Sequence, residues 1–203
     1  YNLWLPLRTC YQIYLFAVTL ATCAIAYYSF AKIAASRRLG LLGALLYTLS
    51  AYRLTCVYTR AAAGEFTAMA FFPLVLAGLY GIYTRDKPRF ADWLPMSLGM
   101  AAMVQSHLLS CELTALLLIL FCLLRLRETL RPARLLAWFK AALLAVGLSA
   151  WYLVPFFLST SSIPFMVNGP LIGKIQFQGL YLIQLFNPFY NGFAGADAGT
   201  NPD

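Results

Sequence analysis

Two short polar segments in an otherwise apolar chain carry the residue types that could do chemistry. The first reads Tyr52-Arg53-Leu54-Thr55-Cys56-Val57-Tyr58-Thr59-Arg60-Ala61-Ala62-Ala63-Gly64-Glu65. Its guanidiniums, Arg53 and Arg60, suit a phosphate or pyrophosphate, which the planar five-donor fork grips at two points. Tyr58 would add a hydroxyl to the same phosphate, and Glu65 a carboxylate for catalytic base or orienting work. The second segment, Gln105-Ser106-His107-Leu108-Leu109-Ser110-Cys111-Glu112, holds the single His of the chain. His107 can give and take a proton near neutral pH. Glu112, one turn further on, is expected in a supporting role, facing the bundle interior and pairing with an Arg of the first segment.

These residues also have a structural reading. Arg60 and Glu65 could pair and cap the next helix, Arg53 could snorkel to headgroups, and His107 could be a wetted turn residue. The spacing leaves both readings open. A metal centre has no basis in it, because a lone His cannot supply the three or more ligands a zinc site needs. No cofactor is identifiable.

The elements that must position these side chains are membrane helices. Hydrophobic residues make up 62% of the chain and charged residues 11%, against about 45–50% and 25% in soluble domains. A span needs about 20 apolar residues, and the runs predict an all-α, polytopic transmembrane bundle of about six. These are Tyr11 to Ile33, Leu39 to Leu54, Phe66 to Tyr83, Trp93 to His107, Leu108 to Leu124 and Ala141 to Leu158. Trp93 to Leu124 is divided in two because a single helix of that length would be ~48 Å long.

Charge orients the bundle. Lys32, Arg37, Arg38, Arg85, Lys87, Arg89, Arg125, Arg127, Arg131, Arg134 and Lys140 fill three alternate gaps, out of 15 Lys and Arg in all. Segments rich in Lys and Arg stay cytoplasmic, which assigns 34–38, 84–92 and 125–140 to the inside of a cell membrane. It puts 55–65, 105–110 and 159–203 outside. The inner gaps, with Asp86, Asp92 and Glu128 subtracted, account for the whole net charge of +8. That excludes a nucleic-acid surface and leaves membrane lipids as the partner. Arg125 to Lys140, with Pro132, Trp138 and Phe139, reads as an interfacial helix and anchor.

The domain division is a transmembrane part, 1–158, and an extracytoplasmic loop segment, 159–203, containing Gly and Pro with one short helix near Gly179 to Phe186. The chain reads as an internal piece of a larger membrane protein. The five Cys lie mostly in apolar runs as small hydrophobes, and Cys56 with Cys111 is the pair an outer disulfide would join.

The run Leu46-Tyr47-Thr48-Leu49-Ser50-Ala51-Tyr52-Arg53-Leu54, then Tyr58 to Glu65, Phe72-Pro73-Leu74-Val75-Leu76 and Ser106-His107-Leu108-Leu109-Ser110 resembles a bacterial family of large integral-membrane proteins. That family is labelled "6-pyruvoyl-tetrahydropterin synthase-related domain", and the resemblance covers approximately Tyr11 to Leu124. The label is not an activity: pterin synthases are soluble enzymes with a three-His zinc site. The resemblance implies a likeness to the polytopic glycosyltransferases of the C superfamily, which take sugars from polyprenyl-phosphate donors at the outer face in envelope glycan or glycolipid assembly. Their catalytic acidic residue usually follows the first helix of the family, which here would precede Tyr1. The alternatives are a transporter or flippase for a lipid-linked or anionic solute, and a non-catalytic membrane scaffold.

Overall fold

The structure, a computed structural model, describes residues 6–162, and every element in that range is a helix. They are α1 (Leu7–Ala34), α2 (Arg37–Thr48), α3 (Ala51–Tyr58), α4 (Ala63–Thr84), α5 (Phe90–Ser106), α6 (Leu108–Leu124), α7 (Leu126–Thr129) and α8 (Pro132–Ser162). The sequence expectations for residues 163–203, including the short helix near Gly179, lie outside the described residues.

Among the described residues three helices are long and apolar enough to cross a membrane: α1, α4 and α8. A fourth crossing results if α2 and α3, which meet at a bend of 43°, act together. The expected single run Leu39 to Leu54 is therefore broken at Leu49 and Ser50. Leu49 closes α2 by donating its backbone N–H to Leu45 O, and Ser50, in extended backbone, starts α3. α5 and α6 have 17 residues each. The boundary between them falls at His107, where the charge alternation required a turn. The expected interfacial helix and last span are instead one continuous helix, α8, of 31 residues starting at Pro132. Pro suits that first position because its missing N–H would have had no partner there.

Small residues hold the bundle together. Gly40, Ala44 and Thr48 form the buried face of α2, and a methyl on Gly40 would come within 2.5 Å of the Ala31 side chain on α1. α4 meets α5 in the same way. A Cβ on Gly78 would overlap the backbone nitrogen of Met96, and one on Gly81 would sit 2.5 Å from Asp92 O. Backbones that touch like this gain dispersion contact where lipid removes the usual hydrophobic drive between helices. The main core joins Val75, Ile82, Met96, Met103, Leu118 and Ala141 across α4, α5, α6 and α8. A smaller core of Cys56, Val57 and Phe66 lies under the turn between α3 and α4.

The three basic segments gather at one end of this bundle. Arg131 bonds Asp86 at 3.0 Å, Arg134 donates to Tyr83 O at 3.1 Å and to Glu128 at 3.0 Å, and Arg85 lies 3.6 Å from Asp92. Lys32 at the end of α1 is within electrostatic range of Asp92 and Arg85. The opposite end is where the chemistry-bearing segments meet. There a Cβ on Gly64 at the start of α4 would lie 2.6 Å from Ser106 O and 3.6 Å from the His107 ring.

Candidate functional site

The turn from α3 to α4 builds the site. Backbone N–H groups of Arg60 and Ala62 donate to Thr55 O and Cys56 O, each at 2.9 Å, and Ala61 takes a left-handed conformation at φ 49°. This reversal brings Arg60 back over the start of α4. Its Nη1 lies 3.1 Å from Glu65 Oε2, 3.3 Å from the Tyr52 hydroxyl and 3.7 Å from Cys56 Sγ. Tyr52 in turn donates to Glu65 Oε1. Arg60, Tyr52 and Glu65 thus form a closed triangle in which both carboxylate oxygens are engaged.

Exposure differs within the triangle. The Arg60 side chain is 39% exposed and that of Glu65 15%. The Tyr52 hydrogen bond, more than the Glu65 charge, holds the guanidinium further toward its charged form against the opposing effect of burial. Tyr52 was not singled out from the sequence, but a signal exists: Tyr52, Cys56 and Arg60 recur every fourth residue, which is one face of a helix.

The other residues expected at the site are distributed unevenly. Arg53 is 1% exposed, with Nη2 donating to Thr22 Oγ1 of α1 at 2.7 Å. Its Nε has no partner among the described residues, and no described carboxylate lies within ion-pair distance. It is a buried cation between helices, not part of the exposed lip. Tyr58, in contrast, is 80% exposed. Glu112 is exposed, not turned inward, and makes no ion pair among the described residues. Cys56 and Cys111 are both buried free thiols, and no bridge joins them.

His107 caps α6. Its Nδ1 accepts the backbone N–H of Ser110 at 3.3 Å and lies 2.7 Å from Ser110 Oγ. An accepting Nδ1 puts the proton of the neutral ring on Nε2. The remaining nitrogen is then a donor, suited to a negatively charged oxygen and not to removing a proton. Among the described residues, no group of three or more His, Cys, Asp or Glu is placed to hold a metal ion.

No protein-family model, curated protein or solved structure matches this chain. Among the described residues the chain is all-helical, with three helices, or four with the bent pair, able to cross a membrane.

Proposed function

We propose that this chain forms a multi-pass membrane protein that holds a lipid-linked phosphate at the lip where α3, α4 and the turn between α5 and α6 meet. One observation carries the reading. Every described contact of the Arg60 guanidinium is made through Nη1, so Tyr52 and Glu65 fix the group while Nη2 and Nε remain uncommitted among the described residues. A guanidinium oriented by a carboxylate on one side and open on the other is prepared for two-point contact with a phosphate.

The accompanying topology has six spans: α1, the bent pair of α2 and α3, α4, α5, α6 and α8. At 17 residues, α5 and α6 are at the short end of what crosses hydrocarbon. The basic end is then cytoplasmic, and the lip is outside the cell membrane. A cysteine at Lys87 should react with a membrane-impermeant maleimide only after lysis, and one at Tyr58 in intact cells. The reverse pattern would invert the topology.

The reaction in this reading is sugar transfer from a polyprenyl-phosphate donor. An acceptor hydroxyl attacks the anomeric carbon, the bond from that carbon to the phosphate oxygen breaks, and the phosphate leaves with the electron pair. Arg60 and the His107 Nε2–H donate to the phosphate as its charge grows. Glu65, with both oxygens engaged, orients Arg60. The acceptor proton goes to a general-base carboxylate, the role that the family resemblance gives to an acidic residue.

The test is saturable binding of polyprenyl phosphate to the purified full-length protein in nanodiscs. Arg60→Ala should weaken it about tenfold, or ~1.4 kcal/mol, and Arg60→Lys should restore only part because an ammonium lacks the fork. Equal binding by Arg60→Ala and wild type would remove Arg60 from the site. Absence of binding by the wild type would leave transport or a scaffold as the reading.

A further inference from the structure

A cavity of about 220 Å³ lies between α5, α6 and α8, and no residue of the α3–α4 turn lines it. Met96, Met100 and Val104 of α5 form its floor, Leu118 of α6 one wall, and Ala145 and Ser149 of α8 the other. We infer that this cavity binds a neutral, ring-sized apolar molecule that presents one hydroxyl or carbonyl oxygen to Ser149.

The argument starts from the Ser149 hydroxyl. The residue is 1% exposed and its Oγ has no partner among the described residues. Helical Ser and Thr side chains elsewhere in the bundle donate to the carbonyl four residues back, as Thr160 does to Phe156 O on α8 itself and Thr114 to Ser110 O on α6. Ser149 does not. Ser29 and Thr48 share the lack, but they belong to the buried faces of α1 and α2 and do not line the cavity. A buried, unpaired hydroxyl beside open space calls for a ligand with a complementary atom.

The chemistry of the wall narrows the ligand. Water is a poor occupant because it needs two to four polar partners. Trp138, the other polar side chain of the lining, also has a buried Nε1–H without a partner among the described residues, but it is 11 residues earlier on α8, which is ~16 Å along the helix, too far for one small molecule or water to join the two. A plain hydrocarbon tail would fill the space and leave the hydroxyl unpaired. No charged residue lines the cavity, so the ligand is neutral. Size follows by proportion: an apolar cavity of about 150 Å³ takes up benzene, so this one holds about nine carbons.

The bundle also provides a way in. α6 and α8 both pack on α5 and scarcely touch one another. The slot between them opens toward the exposed apolar faces of both helices, where a molecule dissolved in hydrocarbon would arrive. The two Met side chains can adapt to its shape.

Photolabelling of the nanodisc-embedded protein tests this, using a diazirine-bearing phenol and the same probe without its hydroxyl. The phenol should label α5 or α8 saturably, and Ser149→Ala should weaken its half-saturation about fivefold, the effect of one lost hydrogen bond. The hydroxyl-free probe should bind wild type and Ser149→Ala alike. Ala145→Phe should abolish labelling by both, and the smaller Ala142→Val should reduce it should the Phe variant fail to elute as a monodisperse protein. No saturable labelling, or labelling unchanged by filling the cavity, would overturn the site. Equal affinity of wild type and Ser149→Ala for the phenol would overturn the assigned ligand class and leave a site for plain hydrocarbon.

Discussion

Arg53 on α3 donates to Thr22 Oγ1 on α1 at 2.7 Å, and the Thr22 hydroxyl in turn donates to Val18 O at 2.7 Å. A buried guanidinium is thus held by a neutral hydroxyl in place of a carboxylate. Charges in such a setting are expensive to desolvate, and an apolar residue of similar volume is often as stable or more so, by about 1–4 kcal/mol. Arg53→Met is therefore expected to keep or raise the thermal midpoint of the purified protein. Thr22→Val, which takes away that hydroxyl acceptor, should lower stability by about 1–3 kcal/mol. A large loss with Arg53→Met would show that the cation itself is required.

The Tyr52, Arg60 and Glu65 triangle should behave differently. Arg60 is well exposed, so its ion pair contributes only about 0–1 kcal/mol to stability. Glu65→Gln and Tyr52→Phe are expected to melt close to wild type yet bind polyprenyl phosphate more weakly, because Arg60 is no longer oriented. Parallel thermal unfolding and binding titrations separate the two effects. Unchanged binding in both variants would mean that the triangle only closes the turn.

Two glycines make a matched pair. Gly78→Ala puts a methyl against the backbone of Met96 and should destabilise by about 1–3 kcal/mol through overpacking. Gly147→Ala meets nothing within 4 Å and should stabilise α8 by about 0.5–1 kcal/mol. Thermal unfolding of the two single variants in one detergent checks both signs.

Arg134 should be the most sensitive residue of the basic end. Its side chain is 6% exposed, bonds Glu128 and Tyr83 O, and lies over the Tyr83 ring at 5.3 Å. Arg134→Ala is expected to cost about 3 kcal/mol by leaving buried partners unmatched. Arg134→Lys should recover only a part, since one ammonium cannot replace the fork and the stacked plane. Stability equal to wild type in Arg134→Ala would remove this clamp from the account of the fold.

The helical class and the gathering of basic segments could be read from the sequence, because both follow from run length and charge spacing. The turn at His107 was also readable, since only a reversal there keeps the bases on alternate gaps. The break at Leu49 and Ser50 was not, as it interrupts an apolar run without Pro or Gly. The outward direction of Glu112 was hidden for a related reason. α6 is apolar all round, with Leu109, Leu113, Leu116 and Leu120 exposed, so no stripe marks which side is buried. Arg60 and Glu65 were readable as a pair, while the burial of Arg53 depends on α1 crossing α3, which no local pattern encodes.

The contacts that close the basic end impose an order on biogenesis. Asp86 and Arg131, which bond directly, are separated by 45 residues of chain. At about 5–20 residues per second, Asp86 is synthesised some 2–9 s before its partner. During that interval α4 and α5 can already zip together through their glycines and through Arg85 and Asp92, but Asp86 and Tyr83 O still lack Arg131 and Arg134. Synthesis of the first turn of α8 is therefore the event that latches the helices made before it, and a nascent chain stalled ahead of Arg131 would present an open bundle to quality-control proteases.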